Sequence, residues 1–181
     1  MPGDTLRIGI VAGEASGDIL GSRLLASLKT RYPVVQAEGI GGPLMLAEGM
    51  QTLYPMERLS VMGLVEPLKR LPELLRIRRQ LFTHFVQNPP DVFLGIDAPD
   101  FNLHLETRLR SAGCRTAHLV SPSIWAWRQS RIHKIRRAVD LMLCLFPFET
   151  AIYDEHGVKA EFVGHPLADE IPLVVSKQSA R

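Results

Sequence analysis

Residues 91–102 read DVFLGIDAPDFN. Val92, Phe93, Leu94 and Ile96 form an apolar run broken only by a glycine, and within four further residues the pattern changes to Asp97, Pro99 and Asp100. Leu103, Leu105 and Leu109 then recur at helical spacing before Gly113. A continuous apolar run, as opposed to an alternating one, marks a strand buried on both faces, as in a parallel sheet. Proline suits the first turn of a helix, and glycine suits its C-terminal stop. The stretch therefore predicts a strand over 91–96 followed by a helix over 100–112.

The same unit recurs outward in both directions. Strands are expected over LRIGIVA (6–12), VVQAEGI (34–40), TAHLVS (116–121), LMLCLF (141–146) and AEFVG (160–164). A helix over 18–31 places Ile19, Leu24, Leu25 and Leu28 on one face ahead of Pro33. Strands alternating with helices and joined by right-handed crossovers give an α/β fold, a Rossmann-like three-layer sandwich with a mainly parallel sheet. Ligands of such sheets bind outside the carboxyl ends of the strands, so the turns after each strand are the places to look.

The composition agrees with this reading. The 181 residues are 46% hydrophobic and 22% charged, which suits one folded domain and excludes a disordered chain. That domain is expected over 1–173, with VVSKQSAR (174–181) as a loose tail. A net charge of +2 gives no reason to expect a nucleic-acid partner. Cys114 and Cys144 lie far apart without a CxxC pattern and read as reduced thiols of a cytosolic protein. The N-terminal stretch has acidic residues on both sides of its apolar run and reads as a strand, not a signal peptide. No run of 18 apolar residues is present, so no membrane span is expected.

Four turns and one amphipathic stretch carry candidate chemistry. VAGEASGDILG spaces Gly13, Gly17 and Gly21 by four, which is neither GxGxxG nor a P-loop. It lets a ligand approach the backbone, or it is a tight turn in which Ser16 or Asp18 caps the helix. GIGGPLM (39–45) allows binding and plain turn geometry equally. In the opening stretch Asp97 reads either as the N-cap of the helix or as a general base, with Asp100 facing the positive end of the helix dipole. The two readings compete, because a carboxylate engaged by backbone N–H groups is a weaker base.

SPSIWAWRQSRIHKIRRAVD (121–140) brings Trp125, Trp127 and Arg128 ahead of Arg131, Lys134, Arg136 and Arg137 on a helix whose inward stripe is Ile132, Ile135 and Val139. Such a set suits a phosphate or an anionic head group, or else a solvated basic face with buried tryptophans. Residues 64–82 place Val65, Leu68, Leu71, Leu74, Leu75 and Leu81 at helical spacing among Lys69, Arg70, Arg76, Arg78 and Arg79. Pro67 and Pro72 either divide this segment or begin its helices. It reads as a membrane-surface helix at one end and a crossover helix packed on the sheet at the other. Of the six histidines only His165, in FVGHP, falls at a carboxyl-end turn.

In order, VAGEASGD (11–18), GIGGP (39–43), VMGLVEPL (61–68), DVFLGIDAPDFN, SPSIWAWR (121–128), FPFET (146–150) and FVGHPLAD (162–169) resemble lipid-A-disaccharide synthase, an inverting glycosyltransferase of GT-B architecture. The resemblance covers about residues 6–173. It implies one half of a GT-B fold, the acceptor-side half. It also implies transfer of 2,3-diacylglucosamine from UDP-2,3-diacylglucosamine to the 6-hydroxyl of 2,3-diacylglucosamine 1-phosphate, giving the β-1,6-linked lipid A disaccharide phosphate and UDP. Asp97 matches the proposed general base, and Glu14 and Ser16 match residues of the active-site turn. Trp127, Arg128 and His165 are then substrate-binding candidates. Val65, Leu68, Leu71, Leu74 and Leu75 become candidates for association with the inner-membrane surface, with the protein cytoplasmic and membrane-peripheral. No cofactor or metal is implied. The resemblance further implies a partner, a C-terminal donor-binding half, without which the chain is expected to be inactive. A dinucleotide-dependent oxidoreductase, with Glu38 as ribose-binding acid, and a non-catalytic membrane- or nucleic-acid-binding module are the alternatives.

Overall fold

In the computed structural model, which describes residues 4–59, 66–124, 129–166 and 168, the six expected strands are joined by one more. The strands are β1 (Thr5–Ala12), β2 (Val34–Ile40), β3 (Gln51–Thr52), β4 (Val92–Ile96), β5 (Thr116–Leu119), β6 (Leu141–Cys144) and β7 (Ala160–Phe162). They form one sheet in the order β3-β2-β1-β4-β5-β6-β7, with every pairing parallel. β3 carries only Gln51 and Thr52 and has no apolar run by which a sequence could announce it.

Helices cover both faces. α1 (Ala15–Lys29) and α2 (Pro43–Ala47) send Leu20, Leu25 and Met45 against Ile8, Ile10, Leu94 and Ile96 on one face. On the other face, α3 (Glu66–Gln87) and α4 (Pro99–Ser111) pack Ile77, Leu81, Phe85, Leu105 and Leu109 against Val11 and Phe93. α5 (Ile132–Ala138) and α6 (Glu149–Glu155) continue that layer, with Ile132, Ile135 and Tyr153 around Met142 and Cys144. Both sides of the central strands β1, β4 and β5 are thus buried over most of their length, which is why their apolar runs are continuous.

Several local expectations are corrected. α1 begins at Ala15, so Ser16 and Asp18 lie inside it; its N-cap is Glu14, whose side chain makes no capping bond. Asp97 is not the N-cap of α4 either. That position is Ala98, held in the left-handed region at φ 44° and ψ 53°. β5 stops at Leu119, not residue 121, because Val120 also turns to a positive φ of 80°. Pro72 does not divide the 64–82 segment, since α3 runs on through it. The expected tail at 174–181 lies outside the described residues.

Strand order gives the sheet its functional direction. From β1 the chain steps outward to β2 and β3, and from β4 it steps the opposite way to β5, β6 and β7. The reversal falls between β1 and β4, whose last paired residues are Ala12 and Ile96. Helices on opposite faces leave a crevice at such a switch point, just beyond the carboxyl ends. Gly13–Glu14 and Asp97–Ala98 are the residues that emerge there.

Candidate active site at the carboxyl ends of the central strands

Three non-glycine residues among those described have positive φ, namely Asp97 (52°), Ala98 (44°) and Val120 (80°). All three stand at the carboxyl ends of neighbouring strands β4 and β5. For a β-branched valine this conformation is a genuine outlier, and each such residue costs on the order of 1–3 kcal/mol. The surrounding bonds hold the turns in place. The Asp97 N–H donates to the Leu119 carbonyl at 2.9 Å, and the Val120 N–H donates to the Leu143 carbonyl at 3.1 Å. Phe101 and Asn102 both donate their N–H to the Ala98 carbonyl at 3.0 Å. Backbone strain concentrated in one place, and over-determined there, points to a functional site.

The strained turns enclose a cleft of about 270 Å³ lined by Asp97, Pro99, Val120, Ser121, Pro122, Ser123, Ile124 and Arg131. Within it the two aspartates of the opening stretch separate. Asp100 accepts a hydrogen bond from Arg131 Nη2 at 2.9 Å and is largely exposed. Asp97 is half-buried, and no described residue hydrogen-bonds or ion-pairs its carboxylate. An uncommitted carboxylate in a cleft can accept a proton from a bound hydroxyl, whereas the oxygen of one already paired with a guanidinium is engaged elsewhere. On the far wall, Ser121 Oγ shares a 2.8 Å hydrogen bond with the Tyr153 hydroxyl. Burial pushes the Tyr153 phenol well above its ordinary value, so it remains a neutral prop beneath Ser121.

The turn after β1 meets the turn after β4. A side chain at Gly13 would come within 2.9 Å of the Ala98 methyl, so the glycine lets the β1 turn close against the Asp97 turn. Glu14 and Ser16 are exposed at this junction, one at the N-cap and the other in the first turn of α1. Gly17 and Gly21 instead face inward, against Ala12 and Met45. Asp18 has a different role from any expected. Its buried carboxylate accepts backbone N–H bonds from Gly42, Leu44 and Met45, each at 3.0 Å, and so caps α2. The GIGGPLM turn thus holds an anion of the protein's own making.

Other expected residues lie apart. His165 follows β7 at the edge of the sheet, three strands from β4, and is not among the residues lining the cleft. Trp127, Arg128 and Val65, and the side chain of Leu68, fall outside the described residues. Along α3, Leu71 and Leu75 are each 47% exposed and Leu74 is half-buried, while Ile77, Leu81 and Phe85 are buried. Arg78 stands over the Phe101 ring, and Arg108 over the Phe82 ring at 3.8 Å. Desolvation, then the charges of Arg78, Lys134 and Arg108, lower the pKa of His104, which marks this helical face as electropositive. Both cysteines are free and buried, and burial raises the Cys144 thiol to about 12. Among the described residues, no helix is long and apolar enough to cross a membrane, and no group of three His, Cys, Asp or Glu side chains converges as a metal site.

Sequence reasoning missed a second set of polar groups, all fully buried beneath Asp97. The Asn102 side-chain amide donates toward the carbonyls of Val11, Ile96 and Asp97 at 3.1, 3.4 and 2.8 Å. One turn further along α4, Glu106 Oε1 shares a 2.7 Å hydrogen bond with His118 Nδ1 of β5. Gly95, opposite His118 in the sheet, makes room for this pair: a side chain there would overlap Glu106 Oε1. A signal was available, since Asn102 and Glu106 lie on the same stripe as Leu105 and Leu109 and interrupt it with polar groups.

A parallel sheet that reverses at β1/β4, with strained turns and an uncommitted carboxylate at its carboxyl ends, defines a Rossmann-like α/β domain with a candidate site at the switch point. The fold is shared at TM-score 0.61 with UDP-GlcNAc 2-epimerase from Neisseria meningitidis, solved bound to UDP-GlcNAc, over 91% of this chain and 47% of that one at 8% identity. Sequence comparison is narrower. The lipid-A-disaccharide synthetase family model matches residues 8–181, and the chain belongs to that family. It is 63% identical over 175 residues to the lipid-A-disaccharide synthase of Saccharophagus degradans, covering 97% of this chain and 45% of that protein. It is 61% identical over 178 residues to that of Pseudomonas aeruginosa, covering 98% and 47%, and 56% identical to that of Aeromonas hydrophila. The chain thus spans about half the length of the curated relatives it matches. The oxidoreductase and binding-module alternatives have no comparable support.

Proposed function

We propose that this chain forms the acceptor-side half of a lipid-A-disaccharide synthase, with Asp97 as general base. The observation that carries the reading is the division of labour between the aspartates: Asp100 is tied to Arg131, and Asp97 is uncommitted in the cleft. The Asp97 carboxylate takes the proton from the 6-hydroxyl of 2,3-diacylglucosamine 1-phosphate. The oxygen attacks the anomeric carbon of UDP-2,3-diacylglucosamine, the bond from that carbon to the UDP oxygen breaks, and UDP departs with the bonding pair. A single displacement inverts the anomeric centre, and no covalent sugar–enzyme intermediate forms.

The other candidates fit around this step. Glu14 and Ser16, at the turn that abuts Ala98, contact the sugars where donor and acceptor meet. Arg131, together with Trp127 and Arg128, holds the acceptor phosphate, for which a guanidinium has matching geometry. A second domain, corresponding to the half of the relatives that this chain does not match, supplies most of the contacts to UDP. Leu71 and Leu75, with Val65, Leu68 and Leu74, rest on the cytoplasmic face of the inner membrane, where both acylated substrates reside.

Turnover is tested after completing the chain with the unmatched half of the Saccharophagus degradans relative and supplying both substrates. Asp97→Asn is expected to lower kcat by about 10²–10⁴-fold, the usual contribution of a positioned base, and Asp100→Asn by less than about tenfold. Equal losses would refute the assignment, as would turnover by the uncompleted chain.

A further inference from the structure

We propose that Asn102 is a positioning residue for Asp97, and that the buried Glu106–His118 pair braces it. The inference rests on the function proposed above and extends it from the base to the groups that aim it.

The inner face of α4 carries chemistry that is out of place on a sheet-packed helix. α4 lies on the sheet and should present apolar side chains to it, yet Asn102 and Glu106, one turn apart, are both fully buried on its inward side. A buried amide is costly unless its donors and acceptors are used. In Asn102 only the donor end is used. The nitrogen is surrounded by three carbonyl oxygens, while Oδ1 has no hydrogen-bond partner among the described residues. The arrangement selects an NH₂ group. That group reaches the backbone of both strands at the switch point, Val11 on β1 and Ile96 on β4, and makes its shortest bond to the carbonyl of Asp97 itself.

Those three carbonyls include the two on either side of the Asp97 Cα, where the backbone enters the left-handed region. A carbonyl left without a donor at this point would favour an extended backbone, and the Asp97 side chain would then project elsewhere. Asn102 supplies the donor from a rigid helix whose own first turn is bonded to Ala98. Glu106 and His118 fix that helix relative to β5. Glu106 Oε1 rests over Gly95, and the same glycine brings Asn102 Cβ and Cγ close to β4. One unbranched point in the strand therefore seats both polar side chains, two residues ahead of the carboxylate they position.

Two measurements separate positioning from simple stability. In the 181-residue chain, Asn102→Ala should shift the backbone NMR signals of Asp97 and Ala98 and change their one-bond Cα–Hα couplings, which report the positive φ. Leu109→Ala, which empties a core site in the same helix away from the turn, should leave them unchanged at similar loss of melting temperature. In the completed enzyme, Asn102→Ala should lower kcat by about 10–100-fold, the effect of an ångström-scale misplacement, with the acceptor KM within about threefold. Leu109→Ala should keep full kcat below its melting transition. Should Asn102→Ala not fold, Asn102→Ser, which keeps a shorter donor, carries the same readings. Unchanged Asp97 couplings, or equal kcat in Asn102 and Leu109 variants of equal stability, would overturn the proposal. Absence of turnover in the completed wild type would instead count against the proposed function and leave the NMR comparison standing.

Discussion

α3 and α4 lie side by side on one face of the sheet, and they treat their inward sides in opposite ways. α3 buries Ile77, Leu81 and Phe85 and leaves Leu71 and Leu75 exposed near its other end. α4 also buries leucines, at 103, 105 and 109, but sets Asn102 and Glu106 among them. The first helix has more apolar surface than its packing uses. The second has polar groups that its packing does not need. Excess on an outer face points to something outside the chain, and polarity on an inner face points to a site within it.

The comparison is most severely tested at the buried pair. Glu106→Leu leaves His118 without its partner in the core, and it should destabilise the chain by about 2–5 kcal/mol in urea unfolding. A change below about 1 kcal/mol would mean that the polar stripe of α4 holds nothing in place. Leu81→Ala in α3, a plain core truncation, should cost a similar or slightly smaller amount, about 2–4 kcal/mol, by transfer and cavity terms alone. The smallest stability effect belongs to the exposed end of α3. The double change Leu71→Ser and Leu75→Ser should stay within about 0.5 kcal/mol of the parent. It should nevertheless abolish flotation with anionic phospholipid vesicles at low salt. Unchanged flotation would remove the membrane role from α3, and a large stability loss would place those leucines in the core.

Much of the architecture was legible because continuous apolar runs have one economical explanation, burial on both faces of a parallel sheet. The run ends also marked where the turns lie. Their internal geometry was not legible. Asp97 in a D-A-P-D sequence has every property of an N-cap, and only the three-dimensional path shows that Ala98 takes the cap position and that Asp97 is left uncommitted. Asp18 misled for a related reason. It stands where a helix cap would, but its partners are backbone groups of α2, 24 to 27 residues away. Val120 gives no warning at all, because nothing in a valine foretells a positive φ. Asn102 and Glu106 were readable in principle, as polar interruptions of an apolar stripe. Only contacts from β1, β4 and β5 reveal what those interruptions serve.

The central claim is that the cleft beyond β4 and β5 receives the acceptor. A second hollow of similar size, about 320 Å³, is lined by Arg7, Gln36, Glu38 and Pro90 near the opposite ends of the strands and serves as an internal control. The isotope-labelled chain, titrated with a short-acyl, soluble 2,3-diacylglucosamine 1-phosphate, should show saturable amide shifts at Asp97, Val120, Ser121, Ser123 and Ile124, and in the Arg131 side chain. Shifts confined to Arg7, Gln36 and Glu38, or none at all up to millimolar ligand, would contradict the account.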